Sequence, residues 1–153
     1  MCIRDRLGHD YFVDNFTLRK EENTVFCLFF FSSHIRGYEK MLETKWEIDT
    51  KEGRGWKYNG HMPDLFSGHE TNRLEELLLQ HLKYNNRTNG ELFEFTLRQG
   101  FLPKHLNQIL KELQNNGRLE VKRKDGKKSR RGAFYINYDA YKFEYEKISI
   151  KLI

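Results

Sequence analysis

The sequence predicts an α+β protein, and residues 102–138 carry the strongest pattern. After Pro103, apolar residues recur at spacings of 0, 3, 4 and 7, which predicts one amphipathic helix over Pro103–Asn115. Asn116 and Gly117 then form a typical left-handed helix stop. Alternating apolar residues on both sides of the run KRKDGKKSRRG predict two strands, near residues 119–121 and 134–136, joined by a basic turn. A helix followed by a basic hairpin is the outline of a winged helix-turn-helix.

Two further helices are predicted ahead of this stretch, which completes a three-helix winged helix over residues 72–139. Leucines at spacings of 0, 3, 4 and 8 mark a helix over residues 73–84. A shorter helix over residues 90–99 would be capped by Asn89 and would bury Leu92 and Phe95. Residues 140–153 alternate only weakly, and we assign them to an edge strand or a tail.

The N-terminal part of the chain predicts an antiparallel hairpin followed by a helix. Residues 11–19 and 24–31 are the two strands, and the second is so apolar that we expect it to be buried on both faces. A helix over Ile35–Ile48 carries Trp46 on its apolar stripe, which predicts a core position for that side chain. Residues 49–60 form a polar, glycine-rich loop, and residues 61–71 are a linker.

Charge is concentrated in one segment of the chain. The formal net charge is +5, but residues 118–131 alone hold eight basic and two acidic groups, a net of +6. So local a positive charge predicts a polyanionic partner. No apolar run is long enough to span a membrane, and Cys2 and Cys27 cannot form a disulfide framework, so we expect a cytoplasmic protein.

The first six residues, MCIRDR, look like the translation of a sequencing adaptor, so residues 1–6 are excluded from fold reasoning. We therefore expect the chain to be a fragment that lacks its natural N-terminal portion. The apolar strand over residues 24–31 agrees with this expectation, because its hairpin partner alone cannot cover it. Proteolysis should then remove residues 7–60 and spare the region that begins at Asn72.

Two motifs, YEKMLETKWEID and NGELFEFTLRQGFLPKHLNQILKELQNNGRLEV followed by RRGAFYI, resemble the three-Cys-motif partner (TcmP) family. The resemblance implies a parent protein with a Rossmann-like methyltransferase domain, a C-terminal winged helix and an origin in a bacterial mobile-element or defence locus. Residues 7–60 would be the terminal hairpin and helix of that domain. The residues that match the first family motif are Gly37, Lys40, Met41, Lys45, Trp46 and Asp49.

Nothing catalytic or cofactor-binding carries over from this resemblance. The chain has no G-x-G stretch after a strand and no methylation motif, so S-adenosylmethionine would belong only to the intact parent. Three functions stay open: a nucleic-acid-binding module with double-stranded DNA as the expected target and RNA as the alternative, the specificity end of a nucleic-acid methyltransferase, and a module that docks the three-Cys-motif protein.

The candidate nucleic-acid-binding residues lie in the helix and the basic turn. Helix side chains opposite the apolar stripe can pair with base edges or phosphates, and the basic turn can contact phosphates. The alternative interpretations are an ordinary polar helix face and a hairpin tip kept soluble by its charge. The predicted contacts are Lys104, His105, Asn107, Gln108, Lys111, Lys122, Arg123, Lys124, Lys127, Lys128, Arg130 and Arg131.

Other chemistry finds little support in the sequence. Trp56 and Tyr58 could stack on unpaired bases, and the alternative interpretation of both is a structural role in the loop. His61 and His69 do not belong to any recognisable metal-binding motif, and Ser33 next to His34 lacks the third member of a catalytic triad.

Overall fold

The computed structural model describes residues 11–21, 24–51, 53–57 and 72–153, and the chain forms two compact units, Met1–Glu70 and Thr71–Ile153. The adaptor-like start, the predicted linker, Tyr58, His61 and His69 lie outside the described residues, as does the side chain of Trp56. The first unit contains strands β1 (Phe12–Glu21), β2 (Thr24–Ser32) and β3 (Gly55–Lys57) and helix α1 (Ile35–Ile48).

The described residues of the first unit form a three-stranded sheet in the order β2-β1-β3, with α1 packed on it. The predicted hairpin and helix are confirmed, and β1 and β2 pair antiparallel. Strand β3 lies in the segment predicted to be a loop, and it pairs parallel to β1. At the start of β3, the backbone amides of Arg54 and Gly55 donate to Asp49 Oδ2 at 2.9 and 3.1 Å. The Asp49 side chain, at the end of α1, therefore fixes the position of the backbone where the strand begins.

The core of the first unit lies between β1 and α1. Phe16, Leu42 and Trp46 are at most 2% exposed, so the predicted core position of Trp46 is confirmed. The ring of Phe12 stacks on that of Tyr38 with the centroids 5.1 Å apart.

Lys45 is buried in the same unit. Its ammonium group forms an ion pair with Asp14 and donates to the Asn15 carbonyl at 2.8 Å, which compensates for the lost hydration.

The expectation that the second strand is buried on both faces is wrong. Strand β2 is at the edge of the sheet and pairs with β1 alone, so the described part of the unit leaves much of its side-chain surface accessible. Its exposed apolar residues are 44 to 53% accessible: Val25, Phe26, Leu28, Phe29 and Phe31.

The second unit contains three long helices, a short helix and a three-stranded sheet within its described residues. The helices are α2 (Asn72–Leu82), α3 (Asn89–Arg98), α4 (Pro103–Asn115) and α5 (Tyr138–Phe143). The strands are β4 (Arg87–Thr88), β5 (Leu119–Arg123) and β6 (Ile148–Leu152), antiparallel in the order β4-β6-β5. The order of helices and strands is that of a winged helix-turn-helix. Its core consists of fully buried leucines, which include Leu74, Leu78, Leu92, Leu106 and Leu110.

The third strand of this unit is not where the alternation predicted it. Residues 134–136 lie outside any strand, whereas the C-terminal segment, predicted as an edge strand or tail, forms the central strand β6. Tyr135 has a φ of 53°, a left-handed conformation that a strand does not allow. Phe134 and Ile136 are each 3% exposed, so their apolar pattern reflects burial in the core without pairing in a sheet.

Helix ends are close to the predicted positions, with one different cap. Thr88, rather than Asn89, caps α3: its hydroxyl accepts from the Glu91 amide at 3.2 Å, and the Glu91 carboxylate accepts from the Thr88 amide at 2.8 Å. Asn89 is the first helical residue and is buried, donating to the Glu144 carbonyl and accepting from the Ile148 amide. Helix α4 has the predicted bounds, and Gly117 ends it with a φ of 69°.

Candidate nucleic-acid interface

The basic turn is a tight hairpin over residues 121–129. The Arg123 amide donates to the Lys127 carbonyl at 2.8 Å, and the Ser129 amide donates to the Val121 carbonyl at 2.9 Å. Gly126, with a φ of 80°, turns the tip of the hairpin next to Asp125. The dipeptide Asp125-Gly126 is typical of tight hairpin turns, and the sequence prediction did not use it. On the returning side, Lys128 forms an isolated bridge with Lys122 and no strand directly follows it, so this pairing ends well before the apolar segment that was predicted to be a strand.

All seven predicted wing cations are exposed. Two of them have acidic partners: Lys122 lies 2.9 Å from Glu120, and Lys124 lies 3.5 Å from Glu146. The other five form no salt bridge with any residue that the structure describes: Arg123, Lys127, Lys128, Arg130 and Arg131.

The positive charge extends from the hairpin onto strand β6. A hydrogen bond from Lys122 lowers the pKa of Glu120, and the charges of Lys128 and Lys151 lower it further. Lys151 stands opposite Glu120 in the β5–β6 pairing. It was missing from the sequence prediction because the tail was not recognised as a neighbour of β5.

Helix α4 exposes most of the predicted contact residues. Lys104, Gln108 and Lys111 are exposed, and Asn107 is half-buried. Gln108 donates to Glu112 at 3.3 Å along the same helix, so its amide is held only by another exposed side chain. Three of the five predicted helix residues are therefore fully exposed to a ligand.

His105 is the exception, and the prediction that it points outward is wrong. It is 2% exposed, and its Nδ1 accepts from the Leu102 amide at 3.2 Å. Its ring meets the ring of Phe101 edge-on at 6.1 Å. His105 is one turn before Ile109, so its side chain lies on the apolar face of the helix. There it accepts a hydrogen bond from the Leu102 amide, which has no backbone acceptor at the start of the helix.

The hairpin and α4 are connected by the segment that follows the hairpin. We call residues 132–137 the return segment. Its Gly132 amide donates to Gln114 Oε1 at 2.8 Å, and its Ile136 carbonyl accepts from Asn107 Nδ2 at 3.5 Å. A cavity of about 300 Å³ lies between this segment and the helix residues Asn107 and Lys111. The basic hairpin and the polar helix face thus belong to one continuous surface.

Other sites considered in the sequence have structural roles or are not found. His34 caps α1, because its Nδ1 accepts from the Arg36 amide at 3.2 Å. The described residues contain no group of three or more His, Cys, Asp or Glu side chains that could hold a metal ion. None of the helices in the described ranges is both long and apolar enough to cross a membrane.

Comparison with known proteins identifies one family. The model of a family described as the GMT-like wHTH domain, where wHTH stands for winged helix-turn-helix, matches residues 18–126. The match begins in β1 and ends at the tip of the basic hairpin. No curated protein and no solved structure matches the chain with significance. Because the family match covers more than half of the sequence, the chain belongs to the GMT-like wHTH domain family.

Proposed function

We propose that the second unit binds nucleic acid, with double-stranded DNA as its target. The observation that carries the proposal is the set of exposed cations in the hairpin and the turn after it, five of which have no salt bridge to a described residue. Cations that lack acidic partners can bind phosphates without first breaking an ion pair. A winged helix-turn-helix is a fold that suggests nucleic-acid binding, and family membership supports the same conclusion.

The two parts of the surface have different roles in this proposal. The hairpin cations, together with Arg130 and Arg131, contact phosphates and thereby orient the protein on the duplex. Lys104, Gln108 and Lys111 of α4 face the major groove, where amide and ammonium groups can read base edges. His105 has no part in the contact, because it is buried.

The finer assignment is also a proposal. We propose that the chain is a TcmP-like protein from a mobile-element or defence locus, with a first unit derived from a methyltransferase-like Rossmann domain. The parallel pairing of β1 with β3 supports that origin, because parallel strand pairs are typical of Rossmann-like sheets. S-adenosylmethionine would then be a cofactor of the parent protein, whose specificity end this unit would form.

The test is fluorescence polarisation of the full chain with a labelled mixed-sequence DNA duplex at low salt. Single-stranded DNA and an RNA duplex of the same sequence serve as competitors, and duplex DNA should compete best. Replacing the four cations Lys127, Lys128, Arg130 and Arg131 with glutamine should weaken the binding by about three orders of magnitude at 0.1 M salt.

A matched control variant carries four exposed cations from other elements, two lysines and two arginines, replaced in the same way. It should bind as the wild type does. Failure of the wild type to bind any nucleic acid, or equal weakening of both variants, would contradict the proposal. The control substitutions are Lys51→Gln, Arg54→Gln, Arg73→Gln and Lys83→Gln.

A further inference from the structure

The return segment suggests how the hairpin is held in place. We infer that Gln114 and Asn107 are positioning residues, which fasten the return segment to α4 and so hold the basic hairpin beside the helix face. The inference rests on the proposed nucleic-acid binding, and it assigns to these two side chains a role other than contact with the ligand.

The first attachment is at the beginning of the return segment. The Gln114 carbonyl accepts from the Gly132 amide at 2.8 Å, a good hydrogen-bond distance. Gly132 has a φ of 77°, and the Ala133 amide donates to the Arg130 carbonyl at 3.0 Å, which closes a turn around the two arginines. The anchored amide is therefore directly next to Arg131 in the chain, and its position limits where both guanidinium groups can go.

The second attachment is two helical turns earlier on α4. Asn107 and Gln114 are seven residues apart, about 10 Å along the helix, and face the same side. Asn107 donates to the Ile136 carbonyl, so the return segment runs antiparallel to the helix between the two amides. Phe134 and Ile136 are buried between these points, which adds apolar anchors to the polar ones.

Tyr135 is held as well. Its backbone is left-handed, with a φ of 53°, and Lys147 Nζ lies 4.0 Å from the centre of its ring. Gly132, Tyr135 and Ile136 thus each contact α4 or Lys147, the Ala133 carbonyl accepts from the Ser129 hydroxyl at 3.4 Å, and Phe134 is buried. A segment attached at this many points cannot swing freely, and the hairpin that precedes it is correspondingly restrained.

The attachment also narrows the helix face that remains for base reading. The side that carries Asn107 and Gln114 is occupied by the return segment. Four of the exposed polar residues that remain lie at spacings of 0, 4, 7 and 11, which is a single stripe along the helix, and exposed Glu112 lies beside this stripe. These stripe residues are Lys104, Gln108, Lys111 and Asn115.

The test separates positioning from contact through two variants of Gln114. Gln114→Met removes the acceptor at similar side-chain length, whereas Gln114→Glu keeps an acceptor. Gln80→Met, at an exposed position on α2, is the matched control. Hydrogen exchange of the Gly132 amide, measured by NMR on the free full chain, reports the anchor. Binding to a labelled DNA duplex over a salt series reports the consequence.

We expect Gln114→Met to speed exchange at Gly132 and to weaken binding about fivefold, the effect of one net hydrogen bond. The slope of log affinity against log salt should not change, because no cation is lost. Gln114→Glu should keep the Gly132 amide protected, and Gln80→Met should change neither measurement.

Three outcomes would overturn the inference. The Gly132 amide could stay protected in Gln114→Met, binding could stay at full strength after protection is lost, or the salt slope could fall. If the wild type binds no nucleic acid, the proposed function fails and the positioning role fails with it, while the exchange result still decides separately whether Gln114 anchors Gly132.

Discussion

The clearest quantitative prediction concerns the salt dependence of binding. Replacing Lys127, Lys128, Arg130 and Arg131 with glutamine lowers the net charge of residues 118–131 from +6 to +2. Each neutralised phosphate contributes about 0.9 to the slope of log affinity against log salt. The slope should therefore change from about −5 for six contacts to about −2 for the variant, and affinity at 0.1 M salt should fall by about three orders of magnitude.

A substitution next to the hairpin should have the opposite effect on binding. Glu120 lies 2.9 Å from Lys122 and is surrounded by Lys128 and Lys151, so Glu120→Gln should free Lys122 and strengthen binding. The slope should become steeper by about one unit, since one further cation can neutralise a phosphate. Polarisation titrations at five or more salt concentrations would measure both slopes.

Circular dichroism would check that each variant is folded. The reasoning is refuted if the four-site variant keeps the wild-type slope. It is equally refuted if Glu120→Gln weakens binding, because the carboxylate would then be helping the contact rather than competing with it.

Three further predictions concern stability. Gly90→Ala should lower the free energy of unfolding by about 1–3 kcal/mol in thermal unfolding, because a Cβ there would lie 2.2 Å from Tyr145 Cδ2. The double variant Gly90→Ala, Tyr145→Ala should lose less unfolding free energy than the two single variants together. Burial lowers the pKa of His81 below 6.5, so the unfolded chain binds that proton more tightly. Stability should therefore be lost as the pH falls below about 6.5, and His81→Phe should flatten this dependence in denaturant titrations. Replacing half-exposed Phe29 and Phe31 with threonine should change the unfolding free energy by less than about 1 kcal/mol while reducing binding of a hydrophobic dye; a large loss would show that β2 is covered.

The helices could be predicted from the sequence because their signals are local. Helix α4 has a proline at its first turn, an unbroken apolar stripe and Gly117 after its last turn, and its bounds are as predicted. Strand pairing is decided by distant residues. The segments around Phe134 and Ile150 alternate in similar ways, and only the tertiary structure determines which of them pairs with β5.

The candidate interface could likewise be predicted only in part from the sequence. The exposure of Lys127 and its neighbours follows directly from a charge density that no core tolerates. The burial of His105 does not follow from hydropathy, because a polar ring fits the interior only when it serves a particular backbone amide. Lys151 needed knowledge of the β5–β6 register before it could be associated with the hairpin.

The central position of β6 has a consequence for how this unit folds. Strand β4 pairs with no described strand except β6, and the register joins Arg87 to Ile150 across most of the length of the unit. Contacts between such distant parts of a chain make folding slow, because a long loop must be ordered before they form. The helices can assemble early, but the sheet cannot form until the segment after α5 pairs with β4 and β5. Ile150→Ala should therefore slow folding more than the same truncation of an equally buried leucine in α2.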